Sequence, residues 1–261
     1  VALMFAVAGF IGFEATAVFR DEARDPARTV PRATYLALAV IGVFYTVSGW
    51  AVVTAWGDAG AVAAAGEDPG GMLITTIAAV LGPAGGEIAQ VLLVTSQFAA
   101  ILAFHNVLAR YLFVLGGRGA LPVAWGRSHA RHGSPHVGSL VQTGTALVLV
   151  AVFVLAGLDP VTQVFAWMAG TATLGVLALM ALTCLAVIVF FRHTRVDTRP
   201  WPTVVAPALG LAGLLVFLFL TITNFPTLIG GSAGLATAIG AVLVVFFAVG
   251  AACRPQRRRW S

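Results

Sequence analysis

Long apolar runs separated by short polar connections make up most of the chain. An α-helix rises about 1.5 Å per residue, so roughly 20 apolar residues cross the hydrocarbon of a bilayer. A shorter apolar run, from Met72 to Leu81, lies between turn signals and predicts an interfacial or re-entrant helix. We predict seven membrane-spanning helices, at approximately 1–19, 33–56, 88–115, 137–157, 161–191, 203–223 and 231–252. The pattern is that of an all-α polytopic membrane protein, with 1–261 as a single transmembrane domain.

The composition supports a membrane location and argues against several function classes. Hydrophobic residues make up 59% of the 261 residues and charged residues 10%, which is more apolar surface than a soluble core of this size can bury. Cys184 and Cys253 stand alone in apolar runs, so we predict neither a disulfide framework nor a zinc site. Because the sequence holds no phosphate-binding loop, zinc-protease motif or nucleophile elbow, we predict no enzyme activity, no cofactor and no metal ion.

The basic residues follow alternate spans. All 15 are arginines, at 20, 24, 28, 32, 110, 118, 127, 131, 192, 195, 199, 254, 257, 258 and 259. The charged residues of the other connections are all acidic, at 58, 67, 68, 87 and 159. The positive-inside rule therefore predicts a multi-pass protein of the cytoplasmic membrane, with the arginine-rich loops and the C-terminus in the cytoplasm and residue 1 near the outer face. Charge confined to loops also gives no reason to expect a nucleic-acid partner. An odd number of spans that begins outside is the pattern expected of the C-terminal part of a larger bundle.

The opening span combines features that disfavour a continuous membrane helix. Gly9 and Gly12 each lower helix stability by roughly 1 kcal/mol relative to alanine. Glu14 places a carboxylate at membrane depth, which costs several kcal/mol unless it faces protein or water. These features predict a broken helix, and broken helices build the binding sites of transporters. A kinked helix whose Glu14 caps a neighbouring element is the alternative.

The loop that follows alternates in charge from Arg20 to Arg32. One interpretation is a solvated turn in which Pro31 marks the start of the next helix, where a missing N–H is no loss. The other is a cytoplasmic latch whose ion pairs break and form during a conformational cycle. Exposed pairs contribute only about 0–1 kcal/mol each, so charge alone does not decide between them.

Two motifs resemble the amino acid–polyamine–organocation (APC) permeases. The segment Phe10-Ile-Gly-Phe-Glu14, with the charged loop that ends in Val-Pro-Arg-Ala at 30–33, resembles their sixth helix and the loop after it. The segment 96–122, with Arg110 and the sequence Gly-Arg-Gly-Ala-Leu-Pro, resembles their eighth helix and its loop. The resemblance implies helices six to twelve of a LeuT-like inverted-repeat fold (5+5, plus two). It also implies secondary active transport of amino acids or polyamines by alternating access, by proton coupling or exchange.

The resemblance also implies a site. The family places backbone carbonyls of the broken sixth helix around the substrate ammonium, here those near Ala8 and Ile11, and its intramembrane acid corresponds to Glu14, with a role in gating or proton coupling. Some members carry an aromatic gate at the Ala8 position, so here the pocket is larger or Phe10 or Phe13 takes that role. The implied substrate-binding residues are Ala8, Gly9, Phe10, Ile11, Gly12, Phe13 and, as a second aromatic gate, Phe104. The implied partners are a small-molecule substrate and bilayer lipid, and a homodimer is a further possibility.

Other polar residues leave alternatives open. His105, at membrane depth, is either a helix–helix contact or a proton relay. The hydroxyls of Thr95 and Ser96 would suit a sodium-coupled relative with a different small organic substrate. A non-transporting remnant of a permease is the third hypothesis.

Overall fold

The computed structural model describes residues 2–20 and 23–252, and this part of the chain contains helices and turns but no β-strand. The helices are α1 (Ala2–Gly9), α2 (Ala15–Val18), α3 (Pro26–Glu67), α4 (Met72–Gly117), α5 (His136–Leu155), α6 (Ala166–Thr194), α7 (Ala206–Thr223), α8 (Phe225–Leu228) and α9 (Ala233–Ala252). A 3-10 turn, Val123–Gly126, precedes α5, and π-helical turns at Pro160–Phe165 and Trp201–Val205 lead into α6 and α7. The all-α prediction is confirmed.

Within the described ranges, six helices are long and apolar enough to cross a membrane: α3, α4, α5, α6 and α7 with their leading turns, and α9. They overlap six of the seven predicted runs. The predicted count of seven spans is not confirmed, because the run 1–19 is interrupted at 10–14. The interruption leaves α1 with eight residues and α2 with four, and neither is long enough to cross hydrocarbon by itself.

The two longest helices each contain a glycine that breaks the helical path. Gly57 in α3 has φ 70° and ψ 163°, and Gly82 in α4 has φ 79° and ψ 177°, a conformation that glycine adopts without a Cβ penalty. The part of α4 before Gly82 matches the short helix predicted from Met72. The start of α3 differs from the prediction, because Pro26 occupies the first helical position and Pro31 lies inside the helix.

The described residues form two compact units, and each is described separately. The first contains residues 2–11 and 157–252. Its core is built where α8 and the turn after it meet α1, α6, α7 and α9, from Met4, Phe225, Leu228, Ile229 and Ala236. Met4 is 1% exposed, so α1 is anchored in this unit by a fully buried side chain.

The second unit contains the described residues from 12 to 156, which carry α2 to α5. Glycines allow close backbone approach here: a Cβ on Gly138 of α5 would lie 2.6 Å from the carbonyl oxygen of Ala109 on α4. Ala109 is 2% exposed, so this part of the α4–α5 contact is tightly packed.

The close approach at Gly138 generates a stability prediction. A methyl group at this position meets backbone, which cannot move aside cheaply, so we expect Gly138→Ala to destabilise the protein by about 1–3 kcal/mol. Gly144 lies on the same helix with nothing within 4 Å of its Cβ position, and alanine there should leave stability unchanged or raise it. Thermal unfolding of the purified protein in detergent measures both variants. Equal shifts in Tm would contradict the packing.

Candidate functional site

The chain leaves helical geometry between α1 and α2, at residues 10–14. The helix α1 closes with two tight turns: the Phe10 N–H donates to the carbonyl of Val7 at 3.1 Å, and the Ile11 N–H donates to that of Ala8 at 3.2 Å. Gly12 then takes φ +112°, a region in which a side chain would be strained. The predicted break in the opening helix is therefore confirmed, and it falls on the glycine-containing segment.

In the first unit, the carbonyls at the end of α1 and just after it differ in whether a described residue donates to them. Among the described residues, nothing donates a hydrogen bond to the carbonyl oxygens of Gly9 or Ile11. The Ala8 carbonyl accepts the hydrogen bond from the Ile11 N–H. Carbonyls at membrane depth are tolerated only when they face protein or line a water-filled cavity. The terminal carbonyls of a helix also carry partial negative charge, so the end of α1 suits a cation.

In the second unit, Glu14 folds back on the break. Its carboxylate oxygen Oε2 accepts a hydrogen bond of 2.8 Å from the N–H of Gly12, a backbone group that has no helical partner. The side chain is half-buried. The acid is thus tied to the interrupted backbone itself, which is a different partner from the neighbouring element considered as the alternative.

Phe104 of α4 lies against the same turn. The Cζ atom of its ring is 3.5 Å from the position that a Cβ on Gly12 would occupy, which is ordinary van der Waals contact. The ring is 46% exposed. The structure therefore brings together Gly12, Glu14 and Phe104 among the predicted site residues of this unit. Phe13 is half-buried, and its carbonyl accepts from the Thr16 hydroxyl at 3.0 Å.

The sequence did not single out the residues that hold α2 in place. The hydroxyls of Thr16 and Thr34 are 2.7 Å apart and link α2 to α3. The Cζ atom of Arg110 on α4 lies 4.3 Å from the centroid of the Phe19 ring, within the range of a cation–π contact. The sequence indicated Arg110 as part of the loop charge pattern and of the motif that resembles the eighth helix, but neither interpretation gave it a contact with α2.

The two hydroxyls cannot make all their short contacts at once. Thr16 is placed to donate to the Phe13 carbonyl, and Thr34 is placed to donate to the Val30 carbonyl at 2.9 Å. Each hydroxyl has a single proton. One threonine must therefore donate to the other while the second donates to its own carbonyl, and the direction of this chain can reverse.

The remaining polar residues considered above lie in packing contacts or on the surface. His105 Nε2 is 2.8 Å from the Ser139 hydroxyl, which joins α4 to α5 and favours the interpretation as a helix–helix contact. Thr95 donates to carbonyls of its own helix and, like Ser96, is exposed.

Two histidines of the loop before α5 cluster with the first residue of α5: the ring of His129 lies 4.9 Å from that of His132 and 5.4 Å from that of His136. Their arrangement is not one that could hold a metal ion within the described residues.

Comparison with known proteins finds a family that matches most of the chain. A family model described as amino acid permease matches residues 1–250. No curated protein and no solved structure matched the chain. The match extends over nearly the full sequence and includes both motifs on which the resemblance rests. Together with the six apolar helices, it shows that this multi-pass membrane protein belongs to the amino acid permease family, within the APC superfamily of transporters.

Proposed function

We propose that the protein moves an amino acid or a polyamine across the cytoplasmic membrane by secondary active transport with alternating access. The observation that carries this proposal is the interruption of the opening helix within an apolar run. It leaves the carbonyls of Gly9 and Ile11 without hydrogen bonds from described residues, and such carbonyls attract the ammonium group that amino acids and polyamines share. In this proposal, α1 and α2 together form one broken crossing of a LeuT-like fold.

Glu14 supplies a physical basis for proton coupling. An ionised carboxylate accepts hydrogen bonds roughly twice as strong as those of a neutral acceptor. Protonation of Glu14 would therefore weaken its bond to the Gly12 N–H and loosen the turn at the break. The conformation of the break then depends on whether a proton is bound. This is the requirement for a coupled carrier, since a ligand shifts an equilibrium only if it binds the two states differently.

We expect Glu14→Gln to abolish the proton dependence of uptake, because a glutamine amide cannot bind and release a proton as a carboxylate does. Uptake into proteoliposomes with an inward proton gradient, assayed with a mixture of radiolabelled amino acids and separately with labelled putrescine, should fall at least tenfold. Glu87→Gln is the matched control, since Glu87 is exposed on α4 and outside the site. Unchanged uptake and pH dependence in Glu14→Gln would remove Glu14 from the mechanism.

The same assay separates the two coupling ions. Replacing sodium with choline should leave uptake unchanged, while a protonophore should collapse it. The opposite pair of results would favour the sodium-coupled alternative.

Phe104 is proposed to act as an aromatic gate beside Gly12, within the second unit. Removing its ring in Phe104→Ala opens the space against Gly12, so we expect the KM for uptake to rise several-fold, with a smaller effect for Phe104→Tyr. Phe98→Ala is the control, because Phe98 lies on the same helix and is 68% exposed. Equal changes in KM for the Phe104 and Phe98 variants would show that the ring has no role in the site.

The loop charges predict which connections face the cytoplasm. In a background without Cys184 and Cys253, a membrane-impermeant maleimide should label Gly66→Cys in intact cells. It should label Ser128→Cys only after permeabilisation. Both positions are exposed, and Gly66 has nothing within 4 Å of its Cβ position, so the substitution should not disturb the helix. The reverse labelling pattern would invert the proposed orientation.

A further inference from the structure

The short helix α2 depends on its neighbours for its position. A helix of four residues has too few hydrogen bonds to be stable alone. It packs on α3 and α4 within the second unit. The segment that includes it touches α4 at two points, where Phe104 meets Gly12 and where Arg110 meets Phe19.

These two contacts define a strip along α4. Phe104 and Arg110 are six residues apart, a rise of about 9 Å. The segment from Gly12 to Phe19 follows α4 in the same direction over this distance. Val107 lies between the two contacts on the helical wheel and is half-buried. The segment that contains α2 therefore runs beside this strip of α4, from the contact at Gly12 to the contact at Phe19.

We propose that the contact between Phe19 and Arg110 is a latch that holds α2 over this strip, and that its release opens the pathway on the side of the connection between α2 and α3. The proposal rests on the proposed transport function. Arg110 acts as a positioning residue, through α2, and Phe19 is not its only partner. The contact between a guanidinium and an aromatic ring can break and form again without breaking a covalent bond or a helical hydrogen bond. The contact between the Thr16 and Thr34 hydroxyls ties α2 to α3, so in this proposal α2 leaves α4 while it stays attached to α3.

The latch can be tested by labelling, which needs no knowledge of the substrate. The reporter is Val107→Cys in a background without Cys184 and Cys253, in inside-out vesicles, with a membrane-impermeant maleimide as the probe. The intact latch should keep labelling slow. Phe19→Leu, which removes the ring at similar volume, should raise the labelling rate about fivefold, the factor that corresponds to a cation–π contact of moderate strength.

The other variants distinguish the latch from a general loss of structure. Arg110→Gln should raise labelling at least as much as Phe19→Leu, and Phe19→Tyr should restore slow labelling. The double variant should label no faster than Arg110→Gln alone, because both changes remove the same contact. Arg118→Gln is the matched control, since Arg118 is exposed at the end of the same helix, and it should have no effect.

Labelling that stays slow in both Phe19→Leu and Arg110→Gln would overturn the latch, and so would an equal rise in Arg118→Gln. Size-exclusion chromatography in detergent identifies any variant that fails to fold, and Phe19→Leu with Phe19→Tyr then carries the test. The labelling rate measures how accessible the cysteine at position 107 is, and it does not depend on transport. A protein that fails to transport amino acids would therefore refute the proposed function, while the labelling result would still test the latch.

Discussion

A helix that is interrupted within an apolar run must find partners for its backbone groups, and residues 10–14 meet part of this constraint with very short-range contacts. Two tight turns occupy the carbonyls of Val7 and Ala8, and the carboxylate of Glu14 accepts the N–H of Gly12. The positive φ of Gly12 makes this geometry accessible without strain. The carbonyls of Gly9 and Ile11 receive no hydrogen bond from the described part of the chain, and the rest of the proposed chemistry depends on them. A break that satisfied every backbone group internally would offer nothing to a cation.

The two short helices of the opening apolar run, α1 and α2, are stabilised by different means. The half before the break inserts Met4 into a core of α8 and α9 residues, so its position is fixed by apolar packing in the first unit. The half after the break has no buried residue of its own and is held in the second unit by a hydroxyl pair and a cation–π contact. The apolar packing around Met4 is insensitive to charge, whereas the polar contacts of α2 respond to protons and ions.

Local signals in the sequence predicted the break but not what surrounds it. Glycine and a carboxylate are unusual within an apolar run long enough to span a membrane. The segment containing Gly12 and Glu14 was identified because it has both. The contacts of Thr34 and Arg110 with α2 join residues far apart in the chain. Helices that are apolar all round carry no polar face to show which side packs, so these pairings were not predictable. The predicted start of α3 was wrong for a related reason. Pro26 and Pro31 are both acceptable at a helix start, and only the folded chain distinguishes them.

The strength of the contacts on α2 is in the range that a moving element requires. A cation–π contact contributes about 0.5–2 kcal/mol, and a hydroxyl hydrogen bond about 0.5–1.5 kcal/mol. Two states separated by a few kcal/mol leave the minor state populated at roughly 0.1–10%, which a ligand or a proton can then make dominant. A buried apolar anchor like Met4 would hold α2 too firmly for that, since burying such a side chain stabilises by about 1.5–3 kcal/mol on its own and would add to the polar contacts. The absence of a buried residue in α2 is therefore consistent with a half-helix that moves, and the buried Met4 with one that stays in place.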